Sequence, residues 1–389
     1  MPGAPHFARL RREDPVHRHA ESPYGPYWSV TRYADIMKVE LDHGTYSSAS
    51  ELGGIQIADQ PKGQELPNFI RMDPPRHTAQ RKTVAPIVAP ANLANMEATD
   101  PRSAPRRCST ACRATRPFDW VDRVSTELTA MMLATLFDFP WDDRRKLTHW
   151  SDVAIANIEA ADAVVQSEAE RMAELTQMAE TMAALWKERA AQPPKFDLIS
   201  MMAHGRGDAD HADAASSSAT SALLIVGGND TTRNSMTGGL MALLREPGRA
   251  RQGAGRSGAA RQPGVGDHPL ADAGDPHAPH RDRGHRARRQ AHQAGRQGRD
   301  VVRLGQPRRG GDRRRPSASS SAAPRARQHL SFGAGIHRCV GDRLAEMQLK
   351  ILWEEILKRD LAIEVAGPPV RLYSNFIRGI RSLPVVIHS

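Results

Sequence analysis

Three short segments of this chain carry residue types and spacings that could do chemistry. The first is Ser331–Gly341, SFGAGIHRCVG, which runs directly into an amphipathic stretch. Gly333, Gly335 and Gly341 around a single cysteine, Cys339, let the backbone turn tightly and approach something flat. A cysteine just ahead of a helix meets amide donors and the positive end of the helix dipole, and both favour its thiolate. A thiolate left open on one side suits an iron ligand, with the sulfur pushing electron density toward a bound oxygen. A small buried thiol in a glycine-rich turn fits the same residues. The second segment is Gly227-Gly228-Asn229-Asp230-Thr231-Thr232, inside the apolar run Ser221–Leu244. Glycines and adjacent threonines weaken a helix interior, because a threonine hydroxyl can bond back to an earlier carbonyl. A helix opened there can hold water or oxygen beside an acid and a hydroxyl, or the polar residues can cap a helix that restarts. Leu223 and Val226, one turn before Gly227, would make an apolar wall beside that opening. In the third segment His77 and Arg81 stand four residues apart, share a helix face and can meet one anionic group. Solvated helix charge is the alternative there.

The elements that must position these residues are mostly helical. Trp120–Phe139 has apolar residues at helical spacing, and Ala154–Arg189 reads as two or more helices ending before Pro193 and Pro194. Gly341–Arg359 places Leu344, Met347, Ile351, Leu352 and Ile356 on one face. Short β-like pieces occur near Tyr27–Val30 and Val385–His388. The class expected is mainly α with minor β. With 389 residues the chain can bury a sizeable core. Its three cysteines exclude a disulfide framework and fit a reducing compartment. No apolar run approaches the roughly 18 residues of a membrane span, and the start has no signal-peptide core. A cytoplasmic protein with no membrane span is expected.

The formal charge of +10 suggests nucleic acid until the charge is located. Residues 249–326 hold 18 Arg, no Lys, 6 Asp and no Glu, a net of +12, which leaves −2 for the rest. These 78 residues contain no aromatic residue and only two Leu and three Val. Such a composition cannot bury enough apolar surface to offset its ordering entropy, so the stretch is expected to be disordered or irregular. A shifted reading frame in a GC-rich gene explains it better than a basic arm, because a globular pattern resumes at once afterwards. One permitted back-translation of Gly266–Gly284, read one base later, gives EIIRWQTPVIHMRRTATA, a plausible helix end followed by a strand. A smaller anomaly spans about 100–116, where RRCSTACRATR, read two bases later, gives EVLDGLPRDE. Cys108 and Cys112 there resemble half a metal site but have no partner pair, and the scattered histidines 268, 277, 280, 285 and 292 are no better placed.

Phe332, Gly333, Gly335, His337, Cys339 and Gly341 match the Phe-Gly-x-Gly-x-His-x-Cys-x-Gly haem-binding loop of cytochromes P450. The resemblance implies haem b (iron protoporphyrin IX), with Cys339 as the proximal iron ligand and His337 supporting a haem propionate. The Gly227–Thr232 segment resembles the family's oxygen-activation turn, with Asp230 feeding protons and Thr231 orienting bound oxygen. Met72–Arg81 resembles its propionate clamp, assigned to His77 and Arg81. The three motifs follow the family's order. The family's Glu-x-x-Arg helix is expected between the last two; Glu168–Arg171 lies upstream of the oxygen turn and so is misplaced for it. The expected pair falls where the back-translation yields EIIR, so the gap in the motifs and the anomaly in composition coincide.

Pro23–Ile36, Met72–Asn95, Phe118–Pro140, Leu198–His204, Leu224–Gly239 and Gln328–Leu357 resemble the bacterial soluble alkane terminal hydroxylases, which include fatty-acid ω-hydroxylases. This implies one P450 domain over residues 1–389, several dozen residues short at its N-terminus, with 249–326 replacing the Glu-x-x-Arg helix and the strands after it. The reaction implied is O2-dependent insertion of one oxygen atom into a terminal C–H bond of medium-chain n-alkanes, alcohols or fatty acids. Electrons would come from NAD(P)H through a ferredoxin reductase and a [2Fe–2S] ferredoxin. The apolar wall at Leu223, Val226 and Gly227 fits a hydrophobic substrate, and the Gly53–Phe69 loop is the candidate for its approach channel. An inactive frameshifted copy of such an enzyme is the alternative. A nucleic-acid-binding protein using the basic stretch is a distant one; nucleic acid is not expected as a partner.

Overall fold

A computed structural model describes residues 4–55, 57, 68–98, 116–205, 214–245, 280–281, 299–302, 329–374, 377 and 379–388. In chain order these form α1 (Ala4–Glu13), β1 (Val16–His19), β2 (Tyr27–Val30), α2 (Tyr33–Leu41), β3 (Tyr46–Ser47), α3 (Arg76–Val84) and α4 (Pro90–Ala98). Then come β4 (Phe118–Asp119), a π-helical turn over Val121–Thr126, α5 (Glu127–Phe137), α6 (Arg144–Ile155), α7 (Glu168–Ala190), α8 (Leu198–His204) and α9 (Ala214–Arg245). The last are β5 (His280–Arg281), β6 (Arg299–Val302), α10 (Asp342–Lys358), β7 (Ala362–Val365), β8 (Val370–Arg371), β9 (Ile380–Ser382) and β10 (Pro384–His388). The architecture is mainly α with minor β, as the periodicity implies. No described helix is long and apolar enough to cross a membrane.

The chain groups into two compact units, one of residues 1–82, 275–314 and 328–340 and one of residues 83–274, 315–327 and 341–389. The first unit holds a sheet of order β1-β2-β6-β5-β3. β1 and β2 run antiparallel with Val16 opposite Val30, and β6 lies parallel to β2 with Tyr27 opposite Arg299. Ile36 and Val39, one turn apart on α2, bury against Val30, Tyr46 and Leu330 to make this unit's core. β5 and β6 belong to the basic stretch 249–326; the rest of that stretch lies outside the described residues, as do Cys108 and Cys112.

The second unit is built around α9, which packs on α6 and α7. Its core joins Trp120, Val124, Leu128, Met236, Leu240, Leu352, Trp353 and Leu383, apolar positions drawn from the π-turn region, α5, α9, α10 and the connection between β9 and β10. Gly239 lies under the Trp353 ring: a Cβ there would come within 2.6 Å of a ring carbon. The expected helix over Trp120–Phe139 starts as the π-turn and ends where Asp138 takes a left-handed conformation, φ 46°. The long run Ala154–Arg189 divides into the end of α6, a connection over 156–167, and α7, whose N-cap Ser167 accepts from the Glu170 amide at 3.1 Å. Glu168 and Arg171 pair at 3.2 Å in the first turn of α7, and Arg171 also donates to the Ala156 carbonyl. The Glu-x-x-Arg at Glu168–Arg171 therefore ties a loop to a helix.

Candidate functional site

In the first unit, α3 and the cysteine loop bring the predicted anion-binding residues together. His77 and Arg81 lie one helical turn apart on α3, and the His77 ring meets the His337 ring edge-on, with centroids 4.7 Å apart. Arg81 lies over the Phe69 ring at 5.8 Å and donates to the Arg338 carbonyl at 2.5 Å. Burial, and then the Arg81 charge, push the His77 pKa below its ordinary value, against the opposing pull of the Ile336 carbonyl and Asp73. His77 is 4% exposed and neither ring nitrogen completes a hydrogen bond of good geometry. Asp73, the nearby carboxylate, is engaged by the Ser47 hydroxyl and the Ser48 amide. Arg81 and His337 thus flank a buried imidazole whose nitrogens lack a well-aligned partner, an arrangement suited to an added carboxylate.

The cysteine loop is shaped by its glycines. Gly333 and Gly335 adopt φ of 65° and 66°, a left-handed conformation that disfavours side chains. At Gly335 a Cβ would fall 2.1 Å from the Glu40 carbonyl oxygen of α2, so two elements can touch only without it. Gly341 differs: its φ is −95° and a Cβ there would meet nothing within 4 Å. The Cys339 amide donates to the Phe332 carbonyl at 2.8 Å, which closes the loop, while the Phe332 side chain is buried and the Cys339 residue is exposed. Cys339 precedes Asp342, the first residue of α10, by three positions. Replacing Gly335 with Ala should displace this loop from α2 and lower stability by about 2 kcal/mol. Thermal melts and bound haem per chain check this, and a variant that matches wild type in both would contradict it.

These residues fit the haem that the resemblance implies. The orphaned nitrogens of His77, with Arg81 and His337 beside it, suit a propionate, and the exposed thiol held ahead of a helix start suits an iron ligand.

In the second unit, Gly227–Thr232 lies inside α9, which continues through it, so no helix restarts there. The Thr231 hydroxyl donates to the Gly227 carbonyl at 2.6 Å, the back-bonding that a threonine in a helix offers. Gly227 is exposed, and a Cβ on it would meet nothing within 4 Å. Leu223, Val226 and Thr231 are half-buried along the same face, whereas Ile225 is fully buried. Asp230, one turn beyond Val226 and two beyond Leu223, is packed over and 0% exposed. It accepts from the Ser151 hydroxyl at 2.5 Å and pairs with Arg233. Arg233 in turn forks onto Asp152 of α6 at 2.6 and 3.2 Å. Asn234 donates to the Asp230 carbonyl and accepts from the Ile380 amide, both at 2.8 Å.

Burial pushes the Asp230 carboxyl up to about 6; Arg233 opposes this, and Asp152 adds to it. Burial also works against the charge of Arg233, but its two carboxylates outweigh burial and hold it protonated. The two shifts pull in opposite senses across one ion pair. The arrangement is an ionised guanidinium shared by two acids, of which Asp230 is fully buried. Ser151, Asp152 and Arg233 were not singled out in the sequence. For Arg233 a signal existed, since it follows Asp230 by three residues on one helix.

The described geometry has counterparts among known proteins. The family model "Cytochrome P450" matches residues 314–361. Cytochrome P450 126 of Mycobacterium tuberculosis is 30% identical over 98% of this chain and 94% of its own length. Linalool 8-monooxygenase of Pseudomonas putida is 29% identical over the same shares. The solved structure of cytochrome P450-153 from Novosphingobium aromaticivorans superposes with a TM-score of 0.79 at 34% identity, covering 99% of this chain and 96% of that one. With this likeness running through nearly its whole length, the chain belongs to the cytochrome P450 family.

Proposed function

We propose that this P450 monooxygenase acts as one haem domain that hydroxylates the terminal carbon of medium-chain n-alkanes, alcohols or fatty acids. Electrons would arrive from NAD(P)H through a ferredoxin reductase and a [2Fe–2S] ferredoxin. The observation that carries the substrate class is the part of α9 where Leu223 and Val226 are half-buried and Gly227 is exposed, with the Thr231 hydroxyl bonded back to the Gly227 carbonyl. Such a surface orients a substrate by shape, with few polar contacts to hold it. The linalool monooxygenase relative takes, by its name, a hydrophobic molecule.

His77, Arg81 and His337 would hold the haem propionates and Cys339 its iron, with Phe332, Gly333, Gly335 and Gly341 shaping the loop. Bound in this way, the haem supplies the redox chemistry that activates O2. Asp230, buried in α9, keeps its proton up to about pH 6. The Thr231 hydroxyl is the donor beside Gly227. Leu223 and Val226 exclude water and steer the chain end.

The test is turnover of n-octane by the haem-loaded protein with a [2Fe–2S] ferredoxin and its reductase, with the alcohols separated by gas chromatography. 1-Octanol is the expected main product. Leu223→Ala is expected to cut the terminal-over-subterminal preference about tenfold, the discrimination that a few methylenes of pocket wall supply. Internal alcohols as the main wild-type products, or no turnover of any alkane, alcohol or fatty acid, would overturn the reading.

A further inference from the structure

α6 reaches Asp230 with two adjacent residues that the three motifs do not include. Ser151 occupies one carboxylate oxygen and Arg233 the other, so both oxygens are engaged. Arg233 divides its guanidinium between this buried acid and Asp152, whose side chain is 33% exposed. The charged groups acting on Asp230 among the described residues are Arg233 on its own helix and Asp152 on α6. The π-turn and α5 bring neutral groups to this part of α9: Thr129 pairs with Asn229 at 2.8 Å and Ser125 with Thr237 at 3.0 Å.

We infer that Ser151 and Asp152 are positioning residues for Asp230: Ser151 fixes its rotamer and steadies its ionised form, and Asp152, by drawing on Arg233, makes it keep its proton. This rests on the reading of Asp230 as the proton holder. Electrostatics gives the two residues opposite signs. A negative charge at Asp152 disfavours a second one at Asp230 and engages part of the guanidinium that would stabilise it. The Ser151 hydroxyl donates to the carboxylate and favours its ionised form. The upward shift of Asp230 agrees with burial and Asp152 together outweighing Arg233 and Ser151.

The test follows the Asp230 carboxyl by pH-difference infrared spectroscopy on the haem-loaded protein, its band assigned by loss in Asp230→Asn. Asp152→Asn is expected to lower the midpoint by about one pH unit and Ser151→Ala to raise it, with Asp152→Glu restoring the wild-type value. The acid limb of the turnover–pH profile should move with each midpoint. Packing defects alone would not shift two neighbours in opposite directions. Midpoints unmoved in both variants would overturn the inference, and loss of turnover in Asp230→Asn would then leave the role of Asp230 itself standing. Midpoints that move while the turnover profile stays fixed would overturn the role of Asp230 and the inference with it.

Discussion

Cys339→Ala removes the thiolate-type Soret band from the reduced carbon monoxide difference spectrum and abolishes monooxygenase turnover, while the haem-free chain keeps its melting temperature. The expectation combines three facts about one residue. Its amide is bound to the Phe332 carbonyl, so the loop closes through backbone and not through sulfur. The residue is exposed, so truncating it leaves no cavity and should change the stability of the haem-free chain by no more than about 0.5 kcal/mol. The thiol sits ahead of α10, where the dipole favours the charged form that binds iron. Alanine therefore takes away a ligand and little else. A thiolate-type band persisting in the variant would remove Cys339 from the site.

Arg233→Leu should destabilise the protein by about 3–5 kcal/mol at neutral pH, because it strands two carboxylates, one of them with no exposure to solvent. The effect should also depend on pH in a set direction. Asp230 has a folded-state pKa raised from 3.8 to about 6. A raised carboxyl binds a proton in the folded state that the unfolded chain has already released. Its stabilising contribution is thus complete below about pH 4 and disappears as pH rises through 6. Without Arg233 the folded-state value rises further, since the guanidinium charge is what opposes burial, and the window of loss extends upward. Denaturant midpoints of wild type and variant at pH 6 and pH 8 measure this, with the larger difference expected at pH 8. Equal differences at both values would show that Asp230 does not respond to Arg233.

Of the site, the parts legible in the sequence were those built from neighbouring residues. Gly333 and Gly335 announce left-handed backbone, and Cys339 follows within a few positions, so the loop is encoded by local φ/ψ restriction. His77 and Arg81 are brought to one face by helical period alone. The division of Ala154–Arg189 into α6 and α7 was legible as a break, though its place was not, because Ser167 resembles any surface serine until its hydroxyl is seen to cap a helix. The π-turn over Val121–Thr126 left no mark in a pattern that fits an α-helix throughout. The Glu-x-x-Arg at Glu168–Arg171 shows the converse: a motif present in letters serves a loop when its surroundings differ.

By itself, the sequence determined the helical class, the cysteine loop, the polar turn within an apolar helix and the boundaries of a compositionally foreign stretch. Each follows from residues within a few turns of one another, where propensity and period act directly. Only the tertiary structure decided what meets each polar residue of α9. Ser151 and Asp152 reach Asp230 and Arg233 across some 80 residues of chain. No spacing rule spans that distance, because the contact is made by the packing of α6 against α9. It is the burial created by that packing that turns an ordinary aspartate into a carboxyl that holds its proton up to about pH 6.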